Sequence, residues 1–149
     1  MRTTQQVAIY CAFREGGRIF YILLKRTPER GGFWQPVTGG KEDFDGHSFR
    51  AVIREVKEEL GVDIRREDIF EIPHSFSFVD KEGTERQEQC FGVLLKPEQK
   101  NQICLSSEHD SIICSTDAEY LGPLMTHEGN RIGFNKFIQL LSNNDTVKD

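Results

Sequence analysis

The order of its segments predicts that this chain folds as an α/β domain, a mixed β-sheet with helices packed on it. Three observations carry that expectation. Strand-like segments stand on both sides of one well-marked helix, residues 48 to 60. That helix has a continuous apolar stripe, and a second amphipathic helix follows the last strand. The 149 residues suit a single domain, taken as 1 to 149 with a frayed polar tail at 142 to 149.

Residues 6 to 13, "QVAIYCAF", form the first strand. Gly16 and Gly17 make a turn, and "RIFYILLKR" returns as the second strand of a hairpin. "PERGG" is a loop, and "FWQPVTGG" is a short strand running into a glycine turn. The helix at 48 to 60 closes at Gly61, a residue suited to the left-handed position after a helix. "IFEIPHSFSFVD" and "ERQEQCFGVLLKP" are two strands joined by "KEGT", and "SIICS" is a further short strand. Residues 117 to 125 hold a helical turn. The last helix, 130 to 141, places Ile132, Phe134, Phe137, Ile138 and Leu141 on or near one face.

Composition narrows the function. Hydrophobic residues make up 37% and charged residues 29%, which excludes a disordered chain. There is no run of about 18 apolar residues, so no membrane span is expected. The opening "MRTTQQVAIYCAF" lacks the pattern of a signal peptide, and a cytoplasmic location is the default expectation. A net charge of -5 disfavours a nucleic-acid polymer as partner. A small phosphorylated substrate stays open, because a metal ion offsets local repulsion. Cys11, Cys90, Cys104 and Cys114 have no C-x-x-C spacing and are expected to be buried free thiols.

The helix at 48 to 60 poses the chemical question. On a wheel of about 100° per residue, Phe49, Val52, Ile53, Val56 and Leu60 gather on a core stripe. Glu55, Glu58 and Glu59 fall at i, i+3 and i+4 on another face. Like charges at that spacing oppose the helix by a few tenths of a kcal/mol per pair. An acidic face open to solvent, with Arg50, Arg54 and Lys57 as neighbours, is one reading. The other is a hard-oxygen site suited to magnesium or manganese.

"REVKEELGV" after a glycine turn resembles the signature of the Nudix hydrolases, G-x5-E-x7-R-E-U-x-E-E-x-G-U with U a bulky aliphatic residue. Arg54, Glu55, Val56, Glu58, Glu59, Gly61 and Val62 match, and strict spacing makes Gly40 the opening glycine. Six matched non-aliphatic positions recur by chance at about one in ten million starts. The resemblance implies a Nudix-type α/β/α sandwich with a central mixed sheet. The turn departs from the pattern, because strict spacing puts Gly46 at the first glutamate. Counted from Gly39 instead, the acid is Asp45, with one extra residue in the turn. The resemblance implies that in that register Asp45 or Asp43 would support Arg54 by pairing with it, as the family's first glutamate does, and the metal-facing acids are unaffected.

The resemblance further implies hydrolysis of a phosphoanhydride bond in a nucleoside diphosphate linked to another group. Divalent ions, Mg2+ or alternatively Mn2+, offset the charge that builds on the phosphoryl oxygens and lower the pKa of bound water. Glu58 and Glu59 match the principal metal acids, and Glu55 matches a position that binds metal or orients the nucleophile. Arg54 would hold and screen the glutamates. A carbonyl of Thr38, Gly39 or Gly40 would join the metal shell. Glu108, in "LSSEHDSIIC", resembles the distal acid that binds metal or acts as base; its other reading is a surface acid. His109 reads as its neighbour, His47 as structural, and His74 and His127 carry no role.

"LLKRTPERGGFWQPVTGG" resembles the branch that hydrolyses dATP and dihydroneopterin triphosphate to monophosphate and pyrophosphate. By that resemblance Arg26, and more weakly Lys25, would grip a phosphate, and Phe33 or Trp34 would stack on a base or pterin. Trp34 reads equally as core packing beside the sheet. Dinucleoside polyphosphate hydrolases share similar flanks. A Nudix-fold module that binds a nucleotide or a protein without turning it over is the alternative from another class. The sequence leaves the oligomeric state open.

Overall fold

In the structure, a computed structural model that describes residues 3 to 41, 48 to 80 and 82 to 148, the chain opens with a long hairpin. Strands β1 (Thr3–Glu15) and β2 (Arg18–Arg26) pair antiparallel. Gly16 and Gly17 turn between them at φ 60° and 76°, angles that fit the twist of a two-residue hairpin and that few other residues adopt. Phe13 and Phe20 stack across the hairpin at 5.2 Å.

The stretch expected to be one strand is two. β3 (Trp34–Gln35) pairs with β2, and β4 (Val37–Gly40) pairs with β1. Pro36 lies between them and has no N–H to continue a ladder, so the chain changes partner there. The switch carries Gly39 and Gly40 to the N-terminal half of β1, opposite Val7 and Gln6.

Helix α1 (Ser48–Leu60) ends at Gly61, which takes φ 73°. Then β5 (Ile69–Val79) and β6 (Glu85–Leu95) form an antiparallel pair, and β6 runs parallel to β1. A short helix α2 (Pro97–Lys100), absent from the sequence reading, follows. Its start is marked by Pro97 at the first helical position and by Gln99 Oε1 accepting from Lys96 N–H at 2.9 Å. β7 (His109–Ser115) pairs with β2, α3 (Ala118–Leu121) begins at the Asp117 cap, and α4 (Glu128–Lys148) closes the chain. The expected end of that helix at residue 141 falls short of the observed Lys148.

The sheet is therefore mixed, with order β3-β2-β1-β6-β5, β4 on β1 and β7 on β2. Strand alternation sends two sets of side chains to its two faces. Val7, Ile9, Phe91 and Val93 meet Val52, Val56 and Leu60 of α1. Ala8, Tyr10, Leu23 and Cys90 meet Phe134, Phe137 and Leu141 of α4. A Cβ on Gly133 would overlap the Tyr10 hydroxyl, so glycine lets α4 sit close to the sheet. Tyr10 donates to the carbonyl of Asn130 at 2.9 Å.

Two expectations are corrected here. Ile132 is exposed, because α4 turns Phe134 and Phe137 inward instead. Of the cysteines only Cys11 and Cys90 are buried; Cys104 lies on a surface loop and Cys114 on the outward side of β7. Among the described residues no helix is long and apolar enough to cross a membrane.

Candidate active site

The apolar anchors of α1 decide where its acids go. With Val52, Val56 and Leu60 fully buried, Glu55 and Glu59 turn toward the edge of the sheet and are only 7% and 4% exposed. Only Glu58 reaches solvent, so the reading of the three acids as a face open to solvent is corrected for Glu55 and Glu59. The space for Glu55 comes from Gly39, where a Cβ would overlap the Glu55 carboxyl. Acid helix and glycine turn thus fit each other physically. A Gly39→Ala variant is expected to swing the Glu55 carboxyl out of its place, because the end of a flexible side chain can move, and so to lose roughly 10-fold or more in turnover with melting close to the parent's. Steady-state kinetics beside denaturant melts check this; parent-like turnover would refute the fit.

Arg54 links the same parts. Its Nη1 lies 2.7 Å from Glu55 Oε1 and 3.6 Å from Glu58 Oε2, and its Nη2 donates to the Gly40 carbonyl at 2.8 Å. Glu59 accepts from the Thr38 N–H. Its Oε2 is buried without a hydrogen-bond partner, 3.7 Å from His109 Nε2. The Asp43, Asp45, Gly46 and His47 positions, and with them the register of the turn, lie outside the described residues.

The loop after α2 brings in the fourth acid. Cys104 N–H donates to Leu60 O at 2.7 Å and Ser106 N–H to Glu59 O at 3.3 Å, which satisfies carbonyls left open at the end of α1. Thr27 N–H then holds the Glu108 carbonyl at 3.2 Å. The half-exposed Glu108 side chain pairs with Arg30 at 3.0 Å.

These groups line one cavity of about 780 Å³, into which Arg54, Glu55, Glu58, Glu59 and Glu108 all open. Thr38, Gly39 and Gly40 line it too. Arg26 and Phe33 line it as well, with the Arg26 guanidinium 5.9 Å from the Phe33 ring centre. Arg26 Nε is buried and unpartnered, a donor suited to an anion. Trp34 and Lys25 do not line the cavity. Trp34 packs against the α4-side core, where it forms a bridge with Met125.

Burial, followed by the charges of Glu58 and Glu108, pushes Glu55 up to about 7 against the pull of Arg54. Burial, then Glu55 and Glu108, pushes Glu59 up to about 8. His109 is held below its ordinary value by burial and by Arg26. Among the described residues no three His, Cys, Asp or Glu side chains converge on one point as a preassembled metal group. The donor set nonetheless fits a hard cation. It is all oxygen, its acids repel one another, and Glu59 Oε2 is a buried acceptor with nothing to accept from.

Sequence reasoning missed the far wall, where Phe78, Asp80, Arg86 and Glu88 line the same cavity. A signal for Glu88 existed: it shares strand parity with Cys90 and so had to face inward.

The family model described as NUDIX domain matches residues 2–133. A solved protein from Listeria monocytogenes described as a NUDIX hydrolase is 26% identical, with a TM-score of 0.75 over 94% of this chain and 95% of that one. An Ap4A hydrolase from C. elegans shares the fold at 19% identity and a TM-score of 0.72, covering 94% of this chain and 98% of its own. So does the NUDIX domain of Shewanella oneidensis NrtR complexed with ADP ribose, at 14% identity and a TM-score of 0.73 over 95% and 90% of the two chains. A curated relative, an octanoyltransferase from Myxococcus xanthus, is 32% identical over 112 residues. That match takes in 74% of this chain and only 29% of the relative.

Proposed function

The chain belongs to the NUDIX domain family, and on that premise we propose that it is a pyrophosphohydrolase acting on a small nucleotide-like substrate. The observation that carries the reading is the cavity that joins Glu55, Glu58, Glu59 and Glu108 to Arg26 and Phe33. A polyphosphate and a planar ring are the two parts such a cavity suits. We take the substrate to be a (deoxy)nucleoside or pterin triphosphate, split to monophosphate and pyrophosphate.

Glu55, Glu58 and Glu59, with Glu108 and a carbonyl of Gly39 or Gly40, would hold the divalent ion. When bound, Mg2+ or Mn2+ supplies charge neutralisation for the phosphoryl oxygens. The chain's own groups supply the rest. Arg54 orients Glu55 and Glu58 and ties them to the Gly40 carbonyl. The buried Arg26 Nε donates to a phosphate oxygen, and Phe33 offers its face to the ring. Where they do not hold the ion, Glu108 would take a proton from the attacking water and Glu55 would orient that water.

The test is a panel of nucleoside triphosphates and dinucleoside polyphosphates with magnesium, products resolved by chromatography. Monophosphate plus pyrophosphate is the expected pair. Cleavage of dinucleoside polyphosphates alone would move the substrate class, and no turnover above a Glu58→Gln control would defeat the enzyme reading.

A further inference from the structure

Glu88 is a buried acid for which the proposed chemistry has no use. It is 4% exposed, its Oε1 has no hydrogen-bond partner, and it lines the same cavity as the acids of α1. An unpartnered buried acceptor is costly to keep, and more so when it carries a charge. Burial pushes this carboxyl up to about 7.

The strand register shows where it sits. Gln6 of β1 is paired with Gly40 on one side and with Glu88 on the other. Two strand spacings therefore separate Glu88 from the glycine turn, ~10 Å across the sheet. Its parity with Cys90 puts Glu88 on the α4 side, whereas Gly39 pairs with Val7 of the α1-side core. The cavity thus wraps the sheet edge from the acids of α1 to Glu88. A phosphate alone cannot bridge that span, but a phosphate carrying a sugar and a ring can.

The surroundings at the far end suit a ring. Phe78 lines the cavity there, and Phe33 lies at the wall shared with Arg26. Both pack on His127, Phe33 edge-on at 5.2 Å and Phe78 stacked at 6.1 Å, which fixes the two as one aromatic wall. Arg86 is engaged by Asp80 at 2.8 Å.

We infer that Glu88 is a specificity-determining residue, whose carboxylate accepts from a heterocycle edge bearing a ring N–H next to an exocyclic amine. Guanine presents that edge. Adenine presents a ring acceptor beside its amine and would leave one carboxylate oxygen facing another lone pair. The inference rests on the nucleotide-hydrolase reading of the same cavity and deepens it.

The experiment compares GTP, ATP, CTP and UTP as substrates with magnesium, for the parent and for Glu88→Gln. In parallel, calorimetry follows binding of guanosine and adenosine monophosphates without metal. The parent is expected to favour the guanine nucleotides by at least about 10-fold in kcat/KM. Glu88→Gln, which offers one acceptor and one donor, is expected to cut that ratio by ~10–100-fold, chiefly through KM, with cooperative unfolding retained and the protein no less stable than the parent. The calorimetric preference should fall in step. A parent without guanine preference, or a ratio that Glu88→Gln leaves unchanged, overturns the inference while the hydrolase reading stands. Absence of turnover on every nucleotide defeats that reading instead, and guanosine monophosphate binding that depends on Glu88 would still uphold the inference.

Discussion

Glu58→Gln and Glu59→Gln are each expected to lower turnover by on the order of 10²–10⁴, while the fold persists. The two should separate in stability. Glu58 is exposed, so its amide should change melting by no more than about 0.5 kcal/mol. Glu59 is buried with an unpartnered oxygen, so its amide should make the metal-free protein more stable at pH 8, by about 2 kcal/mol or more. The amide keeps an oxygen for the Thr38 N–H and removes a buried charge. Loss of activity joined to gain of stability marks a residue kept for a ligand rather than for the fold. An active Glu59→Gln protein, or one destabilised at pH 8, would contradict this assignment.

The stability of the metal-free protein is expected to fall as pH rises from about 4 to about 8. Burial holds Glu55, Glu59 and Glu88 up at about 7, 8 and 7 in the fold, above the ordinary carboxylate value near 4 of the unfolded chain. Groups raised in this way bind protons more tightly when folded. Their contribution is fully present below the unfolded value and lost as pH passes through the folded one. Magnesium should restore stability most at the alkaline end, where Glu55 and Glu59 are charged and repel. Melts at pH 5 and pH 8, with and without magnesium, check this. A parent whose melting is flat with pH, or a magnesium effect equal at both, would refute it.

How much of this was legible in the sequence depended on how local each feature is. The i, i+3, i+4 spacing of Glu55, Glu58 and Glu59 is a property of one helix, and it survived intact. Their burial is not, because it depends on how closely α1 meets β4, which is set by the missing side chain at Gly39. The hairpin at Gly16 and Gly17 and the stop at Gly61 were readable because turn chemistry is local. The change of partner at Pro36 was not, since a proline shows that a ladder breaks but not which strand takes up the next segment. Glu88 is the sharpest case. Its inward parity was visible beside Cys90, but the cavity that gives the parity meaning is made by strands distant in the chain. Trp34, readable as stacking platform or as core, has as its bridge partner Met125, a residue far off in the chain that local pattern does not reveal.

On the proposed function the acids of α1 hold a divalent cation. The most direct measurement is a Mn2+ titration followed by electron paramagnetic resonance, on the parent and on Glu58→Gln and Glu59→Gln, without nucleotide. Saturable binding in the parent, weakened at least about 10-fold in each variant, is the expected result. A parent that leaves Mn2+ free in solution, or variants that bind it as tightly as the parent, would contradict the account.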